Sequence, residues 1–353
     1  MPKVDVILGL QYGDEGKGKV TYHMIKNNNY DICARFNGGP NAGHTVYVGD
    51  QKLVTHQVPT GALHGIPSLI GSACVVDPRK LEEEITMINK ALILASVVKN
   101  KKTGKPLMDI RDILFISYNA HVITEKHIEE DKKADKIGST HCGIGPVNGD
   151  KVTKKGQRVE NFLDENKKFC GCNIVDPIEF LAEKEDAKIL MEGAQGFRLD
   201  INHGPYPFVT SGNCGTSSAF TDINPRSLND VVGIAKIYET YVGQMKFQPE
   251  GDEILKQVAK VGKEFGATTG RQRQTRWLNL DELARTIKVN GVNKIIINKC
   301  DILEEVGKFK VVSSNKETEF DDLDKMKKYI ETILKNDCKD LQEIIFSATA
   351  LGI

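Results

Sequence analysis

Gly13-Asp14-Glu15-Gly16-Lys17-Gly18-Lys19 directly follows the apolar run Val4–Leu10. The spacing from Gly13 to Gly18-Lys19 fits the phosphate-loop pattern G-x-x-x-x-G-K. Glycines let backbone amides curl around phosphate oxygens, and the start of a helix adds a positive end. The pattern continues with Ser or Thr, whose hydroxyl holds Mg²⁺. Here that position is Val20. Another oxygen donor must then hold the metal, and Asp14 inside the loop is the obvious one, because Mg²⁺ takes hard oxygen ligands and one or two carboxylates.

A second cluster is Gly38-Gly39-Pro40-Asn41-Ala42-Gly43-His44-Thr45. It reads as a loop after a second strand, so it can face the first. His44 titrates near neutral pH and suits general acid work. Asn41 and Thr45 supply hydrogen-bonding neighbours. Gly43 lets the backbone approach a ligand or metal closely.

These groups need a frame. Val4–Leu10 reads as a buried parallel strand, because it is a compact apolar run rather than an alternating one. A helix is predicted over 17–27 and a strand over 31–36. A long helix is expected over 80–99 behind Asp77-Pro78. Core strands are expected at 189–191, 231–237, 294–297 and 343–346, with helices at 252–265, 280–290 and 321–335 and a small strand at 308–314. The polar stretch 161–172 reads as a surface connection. Strands alternating with helices predict an α/β fold of the phosphate-loop NTPase type: a mostly parallel central sheet flanked by helices, with small additional subdomains. No linker forces a cut, so residues 1–353 are expected to form a single domain. Ligands in such sheets bind at the carboxyl ends of the strands.

Bulk composition agrees with a globular enzyme. Of 353 residues, 40% are hydrophobic and 27% charged, and 48 basic residues balance 48 acidic ones. A zero net charge gives no footprint for nucleic acid or an anionic membrane. The longest apolar helical stretch, near 87–98, is too short for a bilayer, and the opening residues show no signal peptide. Eight scattered cysteines contain no zinc framework, which fits free thiols in a reducing compartment. A cytoplasmic location is expected.

Taken together, Gln11-x-Gly13-Asp14-Glu15-Gly16-Lys17-Gly18-Lys19 and Asn41-Ala42-Gly43-His44-Thr45 resemble the adenylosuccinate synthetase family. The resemblance continues in order through 137–146, Glu192-Gly193-Ala194-Gln195-Gly196, Leu199-Asp200-Ile201, 206–211, Phe265-Gly266-Ala267-Thr268-Thr269-Gly270-Arg271 and Asn298-Lys299-Cys300-Asp301. The length is nearer the compact archaeal and phage-borne forms than the usual bacterial ones.

The resemblance implies a homodimeric ligase that uses GTP and Mg²⁺ to join L-aspartate to C6 of IMP through a 6-phosphoryl intermediate, a step of purine nucleotide biosynthesis. It implies Asp14 as base, Lys17 and His44 as phosphoryl-stabilising and acid groups, and Gln195 as a fourth catalytic residue. Asp14 and the Gly43 carbonyl would hold the metal. Gly13, Glu15, Gly16, Lys17, Gly18, Lys19, Gly43, His44, Thr45, Arg273, Lys299, Cys300, Asp301 and Ser347 would bind GTP. Asp14, Asn41, Ala42, Thr140, Lys154, Gln195, Thr210 and Arg271 would bind the purine nucleotide, with Lys154 reaching across a dimer. Ala267, Thr268, Thr269, Gly270, Arg271 and Arg273 would bind aspartate, the arginines offering planar forks to its two carboxylates.

Departures fall on the acceptor side. His141-Cys142 stands where the family has Gly-Arg, Lys154 replaces an arginine, and Thr240–Glu250 differs from the family's T-R-V-G-A-G-P-F-P-T-E. Phage-borne relatives take dGMP instead of IMP, with a small residue in place of the loop aspartate. Asp14 is kept here, which favours IMP over the (d)GMP alternative. A non-catalytic GTP switch would need Ser or Thr at Val20 and has no use for the 267–271 loop.

Overall fold

The computed structural model describes all residues except 49–50, 96–98, 100–102, 107–108, 135–137, 184, 266–269 and 349–353. Its centre is a nine-stranded sheet in which every pairing is parallel. The order across it is Glu343–Phe346, Lys294–Asn298, Leu228–Lys236, Lys3–Gly9, Lys188–Glu192, Ile32–Arg35, Ser68–Ile70, Leu114–Ser117 and Asn173–Val175.

The strand Lys3–Gly9 shows why its sequence is apolar without alternation. Val4, Val6 and Leu8 enter one core with Leu255, Leu280 and Ile330. Ile7 enters another with Val20, Ile25 and Leu190. Both faces are covered, so each fully buried side chain of this kind contributes about 1.5–3 kcal/mol. Asp5 breaks the run, and its carboxylate is satisfied by the Tyr30 hydroxyl at 2.6 Å.

The helix Lys17–Asn27 starts from Gly16 at φ 94°, and no side chain caps it. The helices Glu253–Val261, Leu280–Asn290 and Leu323–Asp337 are instead capped by Asp252, Asn279 and Asp322. An uncapped first turn leaves backbone amides open to an anion.

The structure departs from the sequence pattern at two places near the site. The pattern puts His44 in a loop, but it opens the strand His44–Val48, which pairs antiparallel with Gln51–Thr55. Thr45, Val46 and Tyr47 are β-branched or aromatic and suit a hairpin. The segment after Gly270, ahead of the helix expected over 280–290, is also assigned no strand by the pattern. It forms the strand Gln274–Asn279, with Thr275 and Trp277 buried, in a four-stranded sheet with Tyr238–Tyr241, Phe309–Ser313 and Lys316–Phe320. Among the described residues, no helix is long and apolar enough to cross a membrane.

Candidate active site

The loops after the first two strands meet. A Cβ on Gly18 would lie 2.7 Å from the His44 Cβ, so only glycine lets the helix start press against the hairpin. Between them opens a cavity of about 300 Å³, and its walls include Asp14, Lys17, Asn41, Gly43, His44 and Gln195. Gly13, Ala42, Thr140 and Thr210 line it too. Asp14 and Gln195 hold left-handed backbone, at φ 59° and 56°. Such conformations are costly for non-glycine residues and gather at functional sites.

Glu15 organises the phosphate loop from within. Its buried carboxylate accepts from the Gln11 and Gly13 amides at 3.1 and 2.9 Å and from the Lys17 ammonium at 2.6 Å. The Glu15 side chain therefore shapes the loop, and what the loop offers to a phosphate is its backbone.

His44 is buried, and its Nδ1 is bonded to Glu192 with Arg35 close by. Burial, reinforced by the Arg35 charge, lowers its pKa to about 4, against the opposing pull of Glu192. Its Nε2 has no partner among the described residues. Glu192 also accepts from the Thr60 amide and hydroxyl at 2.8 Å. Burial opposes its ionisation, but His44, Arg35 and Thr60 hold it at about 2.

The four strands nearest Lys3–Gly9 all end on buried polar side chains: Arg35, Glu192, Lys236 and Asn298. They sit in register, Glu192 beside Arg35 and Lys236 beside Asn298. Arg35 and Glu192 face His44. Asn298 donates to the Glu15 carbonyl at 2.7 Å and so braces the phosphate loop. Lys236 bonds Thr240 and Glu264. None of these four is among the predicted site residues. Their signal was a polar residue closing an apolar core run, at the sheet edge where ligands bind.

Glu264 joins this group to Asp14. It accepts from Lys236, the Tyr238 hydroxyl and Arg273. Burial resists its charge, yet Lys236 and Arg273 hold it at about 2. Arg273 in turn donates Nε to Asp14 Oδ2 at 2.8 Å. Arg271 donates to the Gly138 and Ser139 carbonyls at 2.9 and 2.6 Å, tying its loop to the loop of Thr140. Gly270 lies beside it at φ 65°. The predicted residues Ala267, Thr268 and Thr269 lie outside the described residues. The Asp14 carboxylate and the Gly43 backbone are hard oxygen donors on one cavity beside Lys17, a donor set that suits Mg²⁺.

Other predicted residues lie apart from the cavity. Lys19 bonds the Ser347 hydroxyl at 3.2 Å, and the Ser347 carbonyl accepts from the Cys300 amide at 3.2 Å. With Lys299, at φ 69°, and the half-buried Asp301, they form a second cluster beyond the strand Lys294–Asn298. Gly16 and Asn298 link it to the phosphate loop. Thr45 is half-buried in the hairpin. Lys154 is exposed on the turn after the helix Ile144–Val152. Asp131, which was not predicted, accepts from the Ser139 hydroxyl at 2.9 Å and the Gly143 amide at 2.8 Å, fixing the turn that carries Thr140.

Comparisons with known proteins point to one family. The adenylosuccinate synthetase family model matches residues 6–174 and 171–341. The adenylosuccinate synthetase of Christiangramia forsetii is 38% identical, with 89% of this chain and 82% of that protein covered. That of Chlorobium chlorochromatii is 37% identical, over 89% and 80%. Among solved structures, the fully ligated adenylosuccinate synthetase of Plasmodium falciparum superposes with a TM-score of 0.80 at 26% identity, covering 98% of this chain and 97% of that one. The succinoaminodeoxyadenylate synthetase of cyanophage S-2L, bound to dGMP and dATP, shares the fold with a TM-score of 0.70 at 19% identity, covering 98% and 91%. The chain belongs to the adenylosuccinate synthetase family.

Proposed function

We propose that this chain is a ligase that joins L-aspartate to C6 of IMP at the expense of GTP, giving adenylosuccinate, GDP and phosphate. What carries this reading is the meeting of Asp14, Lys17, His44 and Gln195 in one cavity, in a chain of this family. Asp14 takes the N1 proton of the purine, and the electron pair moves to O6, which attacks the γ-phosphorus of GTP. Lys17 stabilises the phosphoryl group in transit, and His44 stabilises charge on the departing GDP. The amine of aspartate then adds at C6 and phosphate leaves with O6. Gln195, bonded to Asn41 at 3.0 Å, holds the purine beside Asp14. Mg²⁺, when bound at Asp14 and the Gly43 carbonyl, neutralises phosphate charge. Phosphoryl transfer depends on such positioning and charge stabilisation.

Arg271 and Arg273 receive aspartate. Arg273 also binds GTP, as does Lys19, and the Lys299, Cys300, Asp301 and Ser347 cluster holds guanine. Asp301 can accept from guanine N1–H and its 2-amino group, which adenine lacks. Among the described residues lining the cavity, Lys17 is the only lysine or arginine. By the family resemblance, Lys154 of a second copy in a homodimer joins Arg271 in supplying positive charge to the acceptor phosphate near Asn41, Thr140 and Thr210. Residues 1–353 act as one catalytic domain, and a cytoplasmic location goes with this role.

The test is phosphate release from GTP with Mg²⁺, run with and without aspartate, on IMP, dIMP, GMP and dGMP. IMP with aspartate should support turnover, and Asp14→Asn should lower it at least about a hundredfold. Release that ignores aspartate, or far better use of dGMP than of IMP, would overturn this reading.

A further inference from the structure

Tyr12 stands directly before the phosphate loop, is buried, and lines the cavity with Asp14. Its ring meets Tyr241 edge-on at 5.9 Å and Phe247 at 4.9 Å between centroids. Its hydroxyl oxygen accepts from Arg198 at 3.4 Å and from Arg276 at 3.3 Å. Both guanidinium groups pair with Glu282, and Arg276 also pairs with the buried Glu239. Burying ion pairs adds little net stability. What this group does fix is the direction of one aromatic ring at the cavity wall.

The sheet order says which part of an acceptor that ring faces. His44 and Gln195 stand on the flank of the first strand formed by Lys188–Glu192 and Ile32–Arg35. Tyr12 packs on the opposite flank, against the segment that follows Leu228–Lys236. In a purine, N1 lies between C6 and C2. With N1 at Asp14 and O6 turned to the phosphoryl group beside Lys17 and His44, C2 points to the Tyr12 flank. There the wall is Tyr12, Tyr241 and Val242, and the Thr240 hydroxyl oxygen already accepts from Lys236.

We propose that Tyr12 is a specificity-determining residue of the acceptor site: its clamped ring closes the cavity against purine C2, admitting hydrogen there and turning away an amino group. This rests on the placement of the acceptor given above. Arg273 already donates to Asp14 Oδ2 and Lys236 to the Thr240 hydroxyl oxygen, so an amino group against the aromatic wall loses its water for little hydrogen bonding in return, and crowding adds to that cost.

The experiment compares kcat/KM for IMP and GMP, with GTP, aspartate and Mg²⁺, in the wild type, Tyr12→Phe and Tyr12→Ala. Tyr12→Phe keeps the ring and should keep the wild-type preference for IMP. Tyr12→Ala should raise GMP relative to IMP about tenfold or more. A Tyr12→Ala protein that loses both activities equally, with the ratio unchanged, overturns the proposal, because a merely structural ring would act that way. Should that variant fail to fold, competitive binding of IMP and GMP to the wild type decides: GMP must bind at least about tenfold more weakly, and equal affinity sinks the proposal. A wild type that binds IMP but never ligates it defeats the functional reading instead, and leaves the binding comparison to judge Tyr12.

Discussion

His44 meets the cavity with Nδ1 engaged by Glu192 and Nε2 bare. With its pKa lowered to about 4, the imidazole is neutral at pH 7 in the free protein. A phosphate anion beside Nε2 favours the charged form, so the pKa rises when nucleotide binds. Binding at pH 7 should therefore take up a proton. Calorimetry of GTP binding in two buffers of different ionisation enthalpy should show this uptake, and His44→Asn should lose it. Glu192 acts through His44 as a positioning residue. Glu192→Gln should lower kcat about a hundredfold while leaving the KM values for IMP and aspartate near wild type. A change confined to KM would mean that Glu192 serves binding rather than the orientation of His44.

At the scale of elements, the site is an assembly of strand ends. The strand Lys294–Asn298 supports two side-chain clusters at once. Beyond its end stand Lys299, Cys300 and Asp301, and its own Asn298 braces the carbonyl of Glu15 in the phosphate loop. Removing that brace leaves the Glu15 carbonyl without this hydrogen bond and loosens the phosphate loop. Asn298→Ala should raise the KM for GTP about five- to tenfold, the worth of one hydrogen bond, with the KM for IMP little changed. Initial-rate kinetics with each substrate varied in turn would decide it. An equal rise in both KM values would point to general loosening of the sheet end instead of a strut to the donor site.

At the scale of the whole molecule, the proposed contribution of a second copy is testable. If Lys154 completes the neighbour's acceptor site, Lys154→Ala and Asp14→Asn damage different copies' contributions. Each variant alone should be nearly inactive. Mixed and allowed to exchange, they should recover about a quarter of wild-type turnover, because random pairing in a two-fold dimer leaves about one site in four intact. No recovery, with exchange verified by sedimentation of differently tagged copies, would place Lys154 in its own subunit's site or in none.

The sequence by itself determined the chemistry-bearing loops and their order. A phosphate loop is a contiguous run of glycines and charges, and Gly13–Lys19 declares it locally. The helices Lys17–Asn27 and Leu280–Asn290 and the strand Glu343–Phe346 were legible to the residue, because their patterning and ends are local too. Short strands such as Ser68–Ile70 and Asn173–Val175 were not, since three residues carry too little periodicity. Only the tertiary structure decided how the side chains are wired. Glu192 orients His44 across 148 positions, Arg273 meets Asp14 across 259, and Asn298 braces Glu15 across 283. No local pattern encodes such pairings. Glu192 and Asn298 reach their partners because parallel strands distant in the chain are neighbours in the sheet and bring their carboxyl ends to one edge, whereas Arg273 arrives from the separate four-stranded sheet.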